Sequence, residues 1–177
     1  MNAQRLFEYL QRREIAEKLV QANALESATE AMDATTGLAI EPILVSSENL
    51  ETLATIDAVV LGHRRDADHA WLCEDRHGYF YYRDGRPIGY GYIGSSSGPF
   101  ALLNAGDFPA VLALAEREAA MQGHDKFGIE VPLVNRAAVD YLLSRGYQMD
   151  QFITLFMCDE PFGRFENYLC TSPPFFL

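Results

Sequence analysis

Apolar and polar positions along the chain change period several times, and each change marks an element. From Asn2 to about Ala31 good helix formers dominate, with Leu6, Phe7, Leu10, Leu19 and Val20 partly at helical spacing among Arg12, Arg13, Glu14, Glu17 and Lys18. One or two amphipathic helices are expected there, followed by a linker at Asp33–Gly37. Leu38–Val45 is rich in branched residues and predicts a strand. Ser46 or Ser47 then caps a helix that runs to about Leu61, with Glu48 and Glu51 in its first turn and Gly62 at its end. A second, shorter helix is expected from near Asp66 or Asp68, with Trp71 and Leu72 turned inward.

The clearest hairpin follows. Tyr79–Arg83 and Arg86–Ile93 are strand-like, and Asp84-Gly85 between them supplies the positive φ angles of a type I′ turn. Strand alternation puts Ile88, Tyr90 and Tyr92 on one face and Gly89, Gly91 and Ile93 on the other. Gly89, Gly91 and Gly94 weaken this arm, so something is expected to approach its backbone closely, either an acyl chain or a packed helix. A third strand is expected at Pro99–Leu103. The turn Asn104–Pro109 then leads into a helix over Phe108–Met121, with Asp107 as N-cap and Pro109 in the first turn.

Lys126–Tyr147 reads as a buried strand turning into a helix. Gly128, Ile129, Val131, Leu133 and Val134 form a nearly continuous apolar run, and Pro132, which cannot donate to a ladder, pulls it away from a neighbour. Asn135 caps the helix carrying Ala138, Val139, Leu142 and Leu143, and Gly146 stops it. Met149–Met157 predicts another strand. Tyr168–Leu177 is apolar to its last residue and is expected to be pinned into a core or a subunit interface.

Composition narrows the class. With 177 residues, 49% hydrophobic and 22% charged, the chain suits one ordered domain plus an appendage, here a helical extension at 1–37 and a domain at 38–177. No apolar run reaches the roughly 18 residues a membrane span needs, and Met1–Val20 is too charged for a signal peptide, so a cytoplasmic protein without membrane partners is expected. The excess of 25 acidic over 14 basic residues, a net charge of -11, repels phosphate backbones and suits an amine better than a nucleic acid. Cys73, Cys158 and Cys170 lack C-x-x-C spacing and read as reduced thiols, and His63 and His69, six apart, do not make a metal site. Gly94–Gly98 matches G-x-S-x-G around Ser96, but a strand is expected after it, where a nucleophile elbow needs a helix.

The order strand, helix, helix, three strands, helix, strand, helix, strand, together with Asn135, Ala138, Gly146 and Tyr147, resembles the GNAT acetyltransferase superfamily over residues 38–177. The ending, PFGRF with SPPFFL, is similar to the second half of tandem GNAT chains, in which one half can lack chemistry. The resemblance implies an α/β (α+β) fold with a mixed central sheet of six to seven strands and about four flanking helices. It also implies acetyl-CoA as co-substrate, held at Leu103, Asn104, Ala105, Gly106, Asp107 and Asn135. Of the family's Gln/Arg-x-x-Gly-x-Gly/Ala loop only Gly106 survives. Asp107 sets a carboxylate where a pyrophosphate wants donors, a repulsion of about 4 kcal/mol at ~4 Å near a protein surface. The family's tyrosine acid falls at Leu142; its neighbour Tyr141, about 100° around the helix, is the candidate acid if the register shifts and otherwise a half-buried packing aromatic. Glu130, between Ile129 and Val131, is the candidate base if it points inward; an edge position would turn it to solvent. Tyr90 and Tyr92 either line an acceptor pocket or pack. The expected activity is acetyl transfer to a small-molecule amine. The alternative is an inactive GNAT-like module that binds a ligand or forms a homodimer through its helical extension and SPPFFL.

Overall fold

The computed structural model describes residues 37–151, 155, 157 and 159–171. The expected helical extension, part of the expected strand over 149–157, Cys158 and the terminal SPPFFL lie outside those residues. Described elements follow in the order β1 (Leu38–Pro42), α1 (Ser47–Val60), α2 (Asp66–Asp75), β2 (His77–Arg83), β3 (Arg86–Ile93), β4 (Phe100–Leu102), α3 (Phe108–Met121), α4 (Arg136–Ser144) and β5 (Tyr168–Leu169). Local chemistry accounts for several boundaries. Ser46 Oγ accepts from Asn49 N at 3.2 Å to start α1, and Gly62 takes φ +87° just past its end. Asp84 and Gly85, at φ 51° and 73°, close the β2–β3 hairpin.

Among the described residues five strands form one sheet in the order β1-β2-β3-β4-β5, and every pairing is antiparallel. The described fold is therefore α+β with an antiparallel sheet, and the expected mixed pairing and sixth and seventh strands are not seen among these residues. The segment 127–133 makes no strand among the described residues; Glu130 alone bridges Cys170. Pro132 has no N–H for a ladder, and Leu133 and Val134 are exposed. Described residues 149–151, 155 and 157 of the expected Met149–Met157 strand likewise form no strand.

Strand alternation gives the sheet two buried faces. Tyr81, Ile93, Phe100, Leu102 and Leu169 pack with α3 and α4, whereas Phe80, Tyr90, Tyr92, Ala101 and Tyr168 pack with α1 and α2. The alternation in β3 is not the expected one. A bulge between Tyr81 and Tyr82 leaves Ile88 outside the register and turns it toward the α3–α4 core, away from Tyr90 and Tyr92.

The close neighbour of the β3 glycines is β4. A Cβ on Gly91 would stand 2.1 Å from the Phe100 ring, and one on Gly89 2.3 Å from Ala101 O, so neither an acyl chain nor a helix fills that space. Two further expectations at α2 and α3 change. Leu72 is buried but Trp71 is 41% exposed, because the inward face of α2 carries His69 and Leu72. Asp107 makes no side-chain cap on α3; Asn104 Oδ1 instead accepts from Gly106 N at 3.0 Å in a short 3-10 turn over Ala105–Asp107.

Candidate functional site

The catalytic and acceptor candidates singled out in the sequence fall into three separate places. Tyr90 and Tyr92 point to the α1–α2 face, Tyr141 belongs to the α3–α4 face, and Glu130 is exposed at the sheet margin. The sheet therefore separates the candidate acid from the candidate acceptor tyrosines. Tyr141 is 3% exposed against α3, and burial followed by the nearby Glu116 carboxylate pushes its hydroxyl up to about 12, so it stays a neutral core phenol. The inward Glu130 is not observed. Its backbone carbonyl accepts from Cys170 N at 3.0 Å and its side chain faces solvent.

At the proposed cofactor loop, Leu103, Asn104 and Gly106 are exposed and Ala105 half-buried. Asp107 is claimed by Arg83, whose Nη2 donates to Oδ1 at 2.8 Å. Asn135 is buried and used twice. Its Oδ1 accepts from Ala138 N at 3.1 Å as the α4 cap, and its Nδ2 donates to Tyr168 O at 3.4 Å.

The space between β4 and residue 130 is occupied by the chain itself. Leu169 and Tyr168 pair with Phe100 and Ala101 on one side, and Cys170 N reaches Glu130 O on the other. Strand geometry requires this division, since neighbouring residues send their N–H groups to opposite edges. Asn167 Nδ2 also donates to Leu102 O at 2.7 Å, using the last carbonyl of β4.

A polar network that the sequence reading missed lies beneath the α1–α2 face. Arg65, at the start of α2, donates through Nε to Asp57 Oδ2 at 3.1 Å and through Nη2 to Oδ1 at 3.2 Å. Its Nη1 donates to the Tyr168 hydroxyl at 2.9 Å, and Nη2 also meets Tyr90. The Tyr90 hydroxyl donates to Asp57 Oδ1, while His69 Nε2 lies 2.8 Å from Asp57 Oδ2 and Nδ1 2.8 Å from the Tyr92 hydroxyl. One tautomer satisfies every group here: Nε2–H donates to Asp57 and Nδ1 accepts from Tyr92.

Burial and hydrogen bonding shift the carboxyl, guanidinium and phenols of this network. Burial alone would raise the Asp57 carboxyl, but the hydrogen bonds from His69 and Arg65 and the Arg65 charge outweigh it and hold the carboxyl below its ordinary range. Burial likewise pulls Arg65 down, and Tyr90, Tyr168 and Asp57 more than restore it. Desolvation is the largest cause raising Tyr90, Tyr92 and Tyr168, so all three remain protonated. The arrangement orients protons along Tyr92, His69 and Asp57 but presents none to solvent. Asp57, His69 and the three tyrosines are 0% exposed.

A signal for this network was present in the sequence. Asp57 interrupts the inward stripe Leu53, Ile56 and Val60, and Arg65 and His69 stand four apart, on one side of the α2 start. Among the described residues no group of three or more His, Cys, Asp or Glu side chains gathers as for a metal ion, and no helix is long and apolar enough to cross a membrane. Comparisons with known protein families, characterised proteins and solved structures return no match to this chain.

Proposed function

We propose that this chain is a GNAT-like module that binds a ligand or assembles with a second copy without itself transferring an acetyl group. One observation carries the reading: residues 168–170 lie hydrogen-bonded between β4 and Glu130, in the gap that the GNAT resemblance would open for an acyl-CoA arm between the Pro99–Leu103 strand and the segment 127–133. The separation of Tyr141 from Tyr90 and Tyr92 by the sheet supports it, as does the closed polar network on the acceptor side. Calorimetric titration with acetyl-CoA should give no heat of binding. Assembly would run through the segment before residue 37, and deleting residues 1–36 should lower the mass measured by light scattering.

A second reading, acetyl transfer from acetyl-CoA to a small-molecule amine in the cytoplasm, is favoured by the Arg83–Asp107 pair. At 2.8 Å the guanidinium offsets the carboxylate that would repel a pyrophosphate, and the 14-residue α3 begins directly behind it. Under this reading the base for the incoming ammonium is an ordered water or Glu130, whose side chain would have to act from the exposed sheet margin. Saturable heat with acetyl-CoA would replace the first reading by this one, and Glu130→Gln should then leave affinity intact, slowed turnover assigning the base to Glu130 and unchanged turnover to the water.

A further inference from the structure

α2 is bracketed by two buried arginines that reach the same distant segment. Arg65 at its start donates to the Tyr168 hydroxyl, and Arg76 just past its end donates through Nη1 to the Thr171 hydroxyl and to Gly98 O. Both side chains are nearly sealed from solvent, at 2% and 3% exposure. Residues 167–171 make little ladder of their own: β5 is two residues long, and beyond it Cys170 N bonds Glu130 O. Besides the burial of Tyr168 and Leu169 in the two cores, the segment is held by side-chain anchors, Asn167 on Leu102 O, Asn135 on Tyr168 O and the two arginines.

We infer that α2 is a clamp for this C-terminal strap, so that loosening α2 unseats residues 167–171 and opens the sheet between β4 and Glu130. The physical basis is that both ends of a ten-residue helix are tied to the strap, while only His69 and Leu72 of that helix are buried. A helix held by so few buried contacts opens at lower cost than α3, which buries seven residues. When it opens, Arg65 and Arg76 withdraw together and the strap loses two charged donors at once. The coupling of α2 to the strap holds whether or not acetyl-CoA enters the gap.

Amide hydrogen exchange followed by mass spectrometry tests it without any ligand. Ala70→Gly lowers helix propensity inside α2 and should speed exchange of α2 about fivefold. The same factor is expected at Leu169 and Cys170, with α3 unchanged. Faster α2 exchange with an unchanged strap would overturn the coupling, as would an equal acceleration of the whole chain or no change anywhere. Tyr168→Phe, which deletes only the hydroxyl that Arg65 holds, approaches the same link from the strap and keeps the test decisive if Ala70→Gly fails to fold. It should speed exchange in both the strap and α2, and acceleration confined to the strap would overturn the proposal.

Discussion

Asp57 and Arg65, eight residues apart in the chain, face each other through two hydrogen bonds of 3.1 and 3.2 Å with side chains 0% and 2% exposed. A pair so completely desolvated is costly to split, because the surviving partner keeps a buried charge that water no longer screens. Arg65→Met should therefore destabilise the fold by roughly 3–5 kcal/mol in urea unfolding. Removing both charges, as Asp57→Leu with Arg65→Met, should cost less than the single change. A double variant at least as unstable as Arg65→Met would refute this account of the pair.

Acid stability follows from the same carboxyl. The folded state holds Asp57 below its ordinary value, so its contribution is present above the unfolded pKa, about 3.9, and disappears as pH falls through the folded value. The wild-type chain should lose stability below about pH 4 more steeply than Asp57→Asn, which has no proton to take up. Thermal midpoints recorded across that window check the difference in slope.

At the alkaline end the sign reverses. Tyr141 is pushed up to about 12, so its neutral form belongs to the folded state and its contribution is lost as pH rises from the ordinary tyrosine value of about 10 through 12. Tyr141→Phe should flatten the stability profile over that range. Equal slopes for the two proteins would mean that the Tyr141 phenol is as free to ionise in the fold as in the unfolded chain.

Gly91 carries no positive φ, so its constraint is steric. An added Cβ meets the Phe100 ring at 2.1 Å, and Gly91→Ala should cost about 1–3 kcal/mol as overpacking. Shortening the ring relieves the clash. Phe100→Leu should therefore cost less in the Gly91→Ala background than in wild type, and strictly additive changes in denaturant midpoint would exclude this contact as the cause.

Asn135 serves as helix cap and as donor to the strap. Asn135→Ala should lose about 1–2 kcal/mol through the cap alone. Asn135→Ser keeps a neutral acceptor for Ala138 N but removes the Nδ2 donor to Tyr168 O, so it should recover part of that loss. If the two variants melt together, the cap contributes nothing measurable.

Short-range chemistry made much of the fold legible. Ser46, Asn135 and the Asp84-Gly85 pair mark their boundaries because each acts on backbone within three residues of itself, and the α3 bounds follow from Pro109 and the apolar stripe behind it. The glycines of β3 announced a close approach without naming the visitor, since Phe100 arrives from another strand. Likewise the apolar run at 128–134 resembled a strand by composition, yet a strand exists only where a partner accepts its hydrogen bonds.

What the sequence by itself determined is the four described helices and the hairpin, because these follow from periods and caps read over a few residues. Only the tertiary structure decided which segment lies beside β4 and that Asp57, Arg65, His69, Tyr90, Tyr92 and Tyr168 converge. Arg65 and Tyr168 are 103 residues apart, and no local preference of either encodes their meeting. It arises because burying Tyr90, Tyr92 and Tyr168 on the α1–α2 face takes their hydroxyls out of water, where Asp57, Arg65 and His69 supply the partners.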